Sequence, residues 1–345
     1  MNIHFLVSEN ANFPSHSRMY NKHIAEGLKR KGHKVDIHHL ADDFPFPSEK
    51  SLEQCRQVIA TIPKSELIVA DNPVFGVIPG ILKVVQGPVL ALVHVTFSAN
   101  ENLSAYQKEM ILDLERDAQK YASKFIASSI FSESALARDG IGKEKIVTII
   151  SGSDHFPQKK NYLERPYTLL SIANFIRNNG HVDLIKAFTA LKTKNWQLHC
   201  YGNLNLDKEY VDELGRLIRR NGLQDKVMLH SPLSGKALSD VYLNADLFIH
   251  PLAFDEYSNE VVGALAHGIP VIVSTGGGNS EIVPAKMGKF FKPGVVYLLQ
   301  TIIDELLENS ILYKKLAGEA STYHKQAPSW ETSIDQFEQV LGSFK

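Results

Sequence analysis

Short runs of Val, Ile, Leu and Phe, hardly broken by polar residues, alternate along this chain with stretches whose apolar positions recur every three or four residues. In the first half the runs fall at 3–7, 35–38, 67–70, 89–95, 125–129 and 146–150. Runs this short and uniformly apolar predict strands buried on both faces, and the periodicity between them predicts helices. Between the first two runs, Tyr20, Ile24 and Leu28 mark one helical face, with Ser17 placed to cap its start and Gly32 just past its end. The alternation predicts an α/β, doubly wound parallel sheet. The polar stretch 157–166 interrupts the pattern and reads as a linker. A second series follows, with apolar runs at 168–173, 197–201, 227–230, 247–252, 270–274 and 289–291. Two Rossmann-like domains are therefore expected, 1–160 and 161–327, facing a central cleft with ligands beyond the carboxyl ends of the strands. The tail carries Trp330, Ile334, Phe337, Val340 and Leu341 at helical spacing.

Bulk properties narrow the picture. A length of 345 residues suits two cores better than one, and 44% apolar with 22% charged residues is ordinary for a soluble globular protein. The net charge of −1 gives no long-range field, so nucleic acid is not an expected partner and membrane contact is at most peripheral. Cys55 and Cys200 fit no metal spacing and read as reduced thiols. The start, Met1-Asn-Ile-His-Phe-Leu-Val7, runs straight into a strand and does not read as a signal peptide. No apolar run nears the roughly 18 residues that span a bilayer. A cytoplasmic protein is expected.

The most informative segment is 247–274. An apolar strand runs into the acidic turn Asp255-Glu256-Tyr257-Ser258-Asn259-Glu260, then a short helix, a Gly268-Ile-Pro270 break and another apolar strand. Backbone N–H groups at such a helix start face an anion. Asp255 and Glu256 read either as an acidic surface turn or as ligand carboxylates, and Glu260 either as a ligand group or as first-turn capping chemistry. His94 follows four apolar residues and stands where α/β active sites form, or is a buried structural histidine. No pair of aspartates flanks a single residue, so a chelating metal signature is absent from the sequence.

Several landmarks in this order resemble glycosyltransferase family 4, the retaining GT-B sugar transferases. They are the strand ending in His94, the 146–156 segment, the loop Asn174-Phe-Ile-Arg177-Asn-Asn179-Gly180, then Gly202-Asn203, Ser231-Pro232-Leu233 and the 247–283 segment. Three departures stand out. The family's paired glutamates fall on Asp255 and Gly263. Its diphosphate-gripping arginine and lysine fall on Asn174 and Asn179, with Arg177 nearby as a substitute or a solvated charge. Its glycine-rich first loop is replaced by 10–17, with Ser15, His16 and Ser17 as acceptor-side candidates. Losing both cations removes charge-assisted hydrogen bonds of roughly 1.5–3 kcal/mol each.

The resemblance implies a GT-B fold whose final helix, 328–345, packs back on the first domain. It implies transfer of a sugar with retention, without a metal or other cofactor, from a nucleotide-sugar donor to a glycan, lipid-linked or small-molecule acceptor. Asn174, Arg177, Asn179, Gly202, Ser231, Pro232, Leu233, Glu256, Tyr257, Ser258, Asn259, Glu260 and Gly263 are then donor-binding, and His94 and Asp255 catalytic. The alternative is a GT-B protein that has lost catalysis and serves as the binding or scaffold partner of an active transferase.

Overall fold

The computed structural model describes residues 1–8, 15–101, 103–154, 156–159 and 166–344; the 10–14 part of the first loop and the 160–165 part of the predicted linker lie outside them. The chain divides into two compact units, 1–152 with 328–345, and 153–327. The division falls after Gly152 rather than at 160, and Gly152 packs against the backbone of Trp330 so closely that there is no room for a Cβ.

The first unit carries β1 (Asn2–Ser8), β2 (Lys34–Leu40), β3 (Leu67–Asp71), β4 (Val89–Val93), β5 (Lys124–Ala127) and β6 (Ile146–Thr148). Its helices are α1 (Ser15–Arg30), α2 (Glu49–Ala60), α3 (Asn72–Phe75), α4 (Pro79–Leu82), α5 (Ala105–Ala118) and α6 (Ile130–Arg138). All strands are parallel, in the order β2-β1-β3-β4-β5-β6. β3 and β4 are buried throughout, which is why they read as unbroken apolar runs.

The second unit carries β7 (Tyr167–Ile172), β8 (Trp196–Tyr201), β9 (Val227–His230), β10 (Leu247–His250), β11 (Val271–Ser274) and β12 (Gly288–Phe291). Around them lie α7 (His181–Thr189), α8 (Lys208–Arg220), α9 (Gly235–Asn244), α10 (Asn259–Ala266), α11 (Asn279–Ile282), α12 (Val296–Glu308) and α13 (Ser310–Ala320). The order is β12-β11-β10-β7-β8-β9, which read from the β9 edge sets the unit's third, second, first, fourth, fifth and sixth strands side by side. That is the dinucleotide-binding order, whose switch point lies between β7 and β10.

The last helix, α14 (Trp330–Gly342), buries Trp330, Ile334 and Phe337 with Ile3, Phe5, Tyr20, Ile24 and Leu28 in one cluster of the first unit. The basic cluster at the end of α1 meets it, with Lys31 on Asp335 (2.5 Å) and Glu338 (3.2 Å). Those cations serve an internal contact. Ser17 does not cap α1, which begins at Ser15; it lies inside the first turn and is buried. No helix among the described residues is long and apolar enough to cross a membrane.

Candidate functional site

In the second unit, the loops after β7 and β10 meet at the switch point, and glycines make the meeting possible. Gly180, left-handed at φ +73°, leads into α7, and a Cβ there would collide with the Pro251 carbonyl oxygen. Gly277, at φ +77°, lies so close to Asp255 that a side chain would strike its backbone, and Gly276 and Gly202 are pressed in the same way on Ala253 and Ala173. Four backbone approaches of this closeness, all near the carboxyl ends of strands, leave a surface of main-chain groups rather than side chains.

Asp255 anchors this surface. His250, the last residue of β10, lies 2.9 Å from its Oδ2, and the Tyr257 N–H donates to Oδ1 at 3.3 Å. The Asp255 carbonyl accepts from the Gly278 N–H at 2.8 Å, so one residue ties the β10 loop to the β11 loop. Ser258 caps α10 by accepting from the Val261 N–H at 3.2 Å. Glu256 beside it is 2% exposed, and one of its carboxyl oxygens finds no hydrogen-bond partner. Burial, reinforced by the Asp255 charge, pushes Glu256 up to about 8, so at neutral pH it holds its proton and can donate. His181, at the start of α7, is buried against Phe175, and that burial drives it down to about 4.

The remaining donor-side candidates are placed as follows. Asn179 bonds within its own loop, its amide donating to the Asn174 carbonyl at 2.8 Å, while Asn174 Oδ1 accepts from the N–H of Asn203, just after β8, at 3.3 Å. Arg177 turns to α8, bonding Glu213 at 2.6 Å with its guanidinium 5.4 Å from the Tyr210 ring centre. Ser231, Pro232 and Leu233 follow β9 and are exposed. Gly263 has a physical reason to lack a side chain, since a Cβ would stand 3.0 Å from the Tyr242 hydroxyl, which donates to the Glu260 carbonyl at 3.0 Å.

In the first unit, His94 stands just beyond β4, which ends at Val93 rather than at 95, and is 3% exposed. Its Nδ1 lies 2.9 Å from the Ser128 hydroxyl and its Nε2 3.2 Å from Asn21 Oδ1. Asn21 in turn donates to Asp71 Oδ2 at 3.0 Å, while Asp71 Oδ1 has no hydrogen-bond partner and lies 3.9 Å from His94 Nε2. His16 approaches the same Ser128 hydroxyl at 3.5 Å, and Ser132 donates to the His94 carbonyl. Burial holds His94 well below the ordinary imidazole value and pushes Asp71 up to about 7. Ser17 is buried one turn before Asn21 on α1.

Asp71, Ser128 and His250 escaped the sequence reading although each carries the signal that singled out His94, a polar residue closing a buried apolar strand. Asn21 and His181 sit on helices and carry no such signal. Among the described residues no group of three or more His, Cys, Asp or Glu side chains is arranged to hold a metal ion.

Two parallel six-stranded sheets with flanking helices, one in each unit, define a GT-B fold. Solved structures agree. The chain is similar to HepE of Anabaena, solved in complex with UDP and glucose, at a TM-score of 0.80 and 21% identity over 99% of this chain and 100% of that one. It is also similar to sucrose-phosphate synthase of Thermosynechococcus elongatus, at 0.83 and 17% over 99% and 98%.

Residues 153–322, nearly the whole second unit, match the family model for glycosyl transferases group 1, and the chain is related to that group. It is 27% identical over 116 residues to mannosylfructose-phosphate synthase of Agrobacterium fabrum and 26% identical over 153 residues to protein CapJ of Staphylococcus aureus. These matches cover 32% and 43% of this chain but only 26% and 36% of those relatives.

Proposed function

We propose that the protein is a glycosyltransferase of the family 4 kind, moving a sugar from a nucleotide-sugar donor to an acceptor hydroxyl with retention and without a metal. The observation that carries this reading is the switch point of the second unit. There the glycine-cleared backbone of Gly180, Gly202, Gly276 and Gly277 borders the start of α10, in the strand order that binds nucleotides elsewhere. A diphosphate needs that clearance and the first-turn N–H groups of a helix. Asp255, held by His250 and the Tyr257 N–H, orients the sugar hydroxyls. Glu256, on the loop after β10, brings an O–H donor to a site whose other loop, after β7, lacks the family's two cations. In the reaction the bond from the anomeric carbon to the phosphate oxygen breaks, the acceptor oxygen takes its place, and the hydroxyl proton it gives up passes to the departing nucleoside diphosphate. The first unit, with His94, is assigned the acceptor.

A second reading is supported by two observations: Tyr242 occupies the space beside Gly263, and Arg177 is committed to Glu213. On that reading the protein is a non-catalytic partner of an active transferase. Calorimetric titration of the full chain with UDP, GDP, ADP and CMP separates the two. Saturable binding of one nucleotide, with slow hydrolysis of its sugar conjugate, supports the transferase; binding of none supports the partner.

A further inference from the structure

The chain of buried groups around His94 has more than one way to satisfy its hydrogen bonds. Asn21 lies between two titratable side chains, with its amide nitrogen 3.0 Å from Asp71 Oδ2 and its carbonyl oxygen 3.2 Å from His94 Nε2. When Asp71 is ionised its oxygens only accept, so Asn21 must point its N–H at Asp71 and its carbonyl at His94. His94 then carries its proton on Nε2 and accepts from Ser128 at Nδ1. When Asp71 is protonated the chain runs backwards: Asp71 O–H donates to the Asn21 carbonyl, the Asn21 N–H donates to Nε2, and Nδ1–H donates to Ser128. Both arrangements keep every bond of the chain. They differ by one amide rotation, one hydroxyl rotation and the ring nitrogen that holds the His94 proton; the only proton gained or lost is the one on Asp71. Other arrangements strand at least one donor or acceptor in a dry site, at roughly 1–3 kcal/mol for each unmade bond; a proton on Asp71 Oδ1, for instance, leaves the chain unreversed but its O–H without an acceptor, since His94 Nε2 lies 3.9 Å away.

We propose that Asn21 is a two-position switch that ties the tautomer of His94 to whether the Asp71 carboxyl carries a proton. Asn21 and Asp71 are thus positioning residues for His94, and the proposal rests on the transferase reading only for its effect on turnover. The surroundings fit. Asp71 titrates near neutrality, at about 7, while His94 stays neutral across that range, so the tautomer and not the charge responds. The groups facing the trio are His16 and Tyr20 from α1, 5.3 Å from the His94 ring centre, and Ser128 after β5. On the far side of Asp71, Glu115 from α5 accepts from the Asn72 amide at 3.0 Å. Because His16 also approaches Ser128, reversal of the hydroxyl is passed on to a residue next to the loop after β1.

The test is nitrogen-15 NMR of labelled histidine in the full chain. His94 is picked out from the 14 histidines by the signal lost in His94→Gln. The wild-type protein itself, titrated through the Asp71 midpoint of about 7, is expected to pass from Nδ1–H below to Nε2–H above. Asp71→Asn, which cannot ionise, is expected to hold one tautomer at every pH, and Asn21→Leu to lose the dependence. Turnover of a sugar nucleotide by Asp71→Asn is expected to lose the wild-type inflection near 7 with donor KM unchanged. A His94 tautomer that ignores pH in the wild type overturns the proposal. An intact NMR switch without any turnover leaves it standing and removes only the transferase reading.

Discussion

Glu256→Gln is expected to make the protein less sensitive to alkali. Glu256 is buried, with one oxygen unpartnered and Asp255 as its neighbour, and these push its carboxyl from 4.5 to about 8. A carboxyl raised in the folded state keeps its proton where the unfolded chain has lost it. Its contribution is therefore fully present below 4.5 and is lost as pH rises through about 8. The loss amounts to about 1.4 kcal/mol per pH unit across that window, roughly 5 kcal/mol in all. Glutamine has the same shape and cannot ionise, so it carries none of this penalty. Asp71 and Glu115, both pushed up to about 7 by burial, slope in the same direction, and the difference between variant and wild type cancels them. Urea unfolding of both proteins at intervals through the window measures that difference. The variant is expected to gain on the wild type by about 1.4 kcal/mol per pH unit and then level off above about 8. A difference that stays flat across the window refutes the buried neutral acid.

Gly277→Ala places a Cβ on a left-handed residue against the Asp255 backbone and should cost about 1–3 kcal/mol in urea unfolding while weakening nucleotide binding measured by calorimetry. Arg177 and Glu213 form an exposed ion pair, screened by solvent, that contributes little to stability. If Arg177 swings to a donor phosphate, Arg177→Ala should weaken nucleotide binding about tenfold or more and Glu213→Ala should tighten it, both read by titration. Phe337→Ala removes a buried ring stacked 6.4 Å from Phe5 and should cost about 3–5 kcal/mol, seen as a lowered urea midpoint.

The fold was legible because burial on both faces writes itself as unbroken apolar runs. Leu67–Asp71 and Val89–Val93 have no polar residue before their ends, and each forms a strand where the runs lie. Helix starts were harder: Ser17 carries the right chemistry for a cap, yet α1 begins two residues earlier, since hydroxyl chemistry alone does not mark which residue leaves the helical backbone. At the candidate site, His94 was visible as a polar residue closing a strand and Asp255 as part of an acidic turn leading into a helix. The partner of His94 was not, because Asn21 comes from a helix distant in sequence, and His181 likewise comes from a helix to act on His250 only in the folded chain. The vacancy at Gly263 was visible as a missing carboxylate, but its reason, the Tyr242 ring from another helix, was not. Arg177 reads from the sequence as a diphosphate ligand or a solvated charge, and its ion pair with Glu213, far along the chain, was not legible there.

On the transferase reading, a nucleoside diphosphate is bound where the loops after β7 and β10 meet. Hydrogen exchange of the full chain, followed by mass spectrometry with and without a saturating sugar nucleotide, tests it most directly. Slowed exchange confined in the second unit to peptides covering 174–181 and 255–261 is the expected result. Unchanged exchange there, or protection appearing only on other strands of that sheet, contradicts the account.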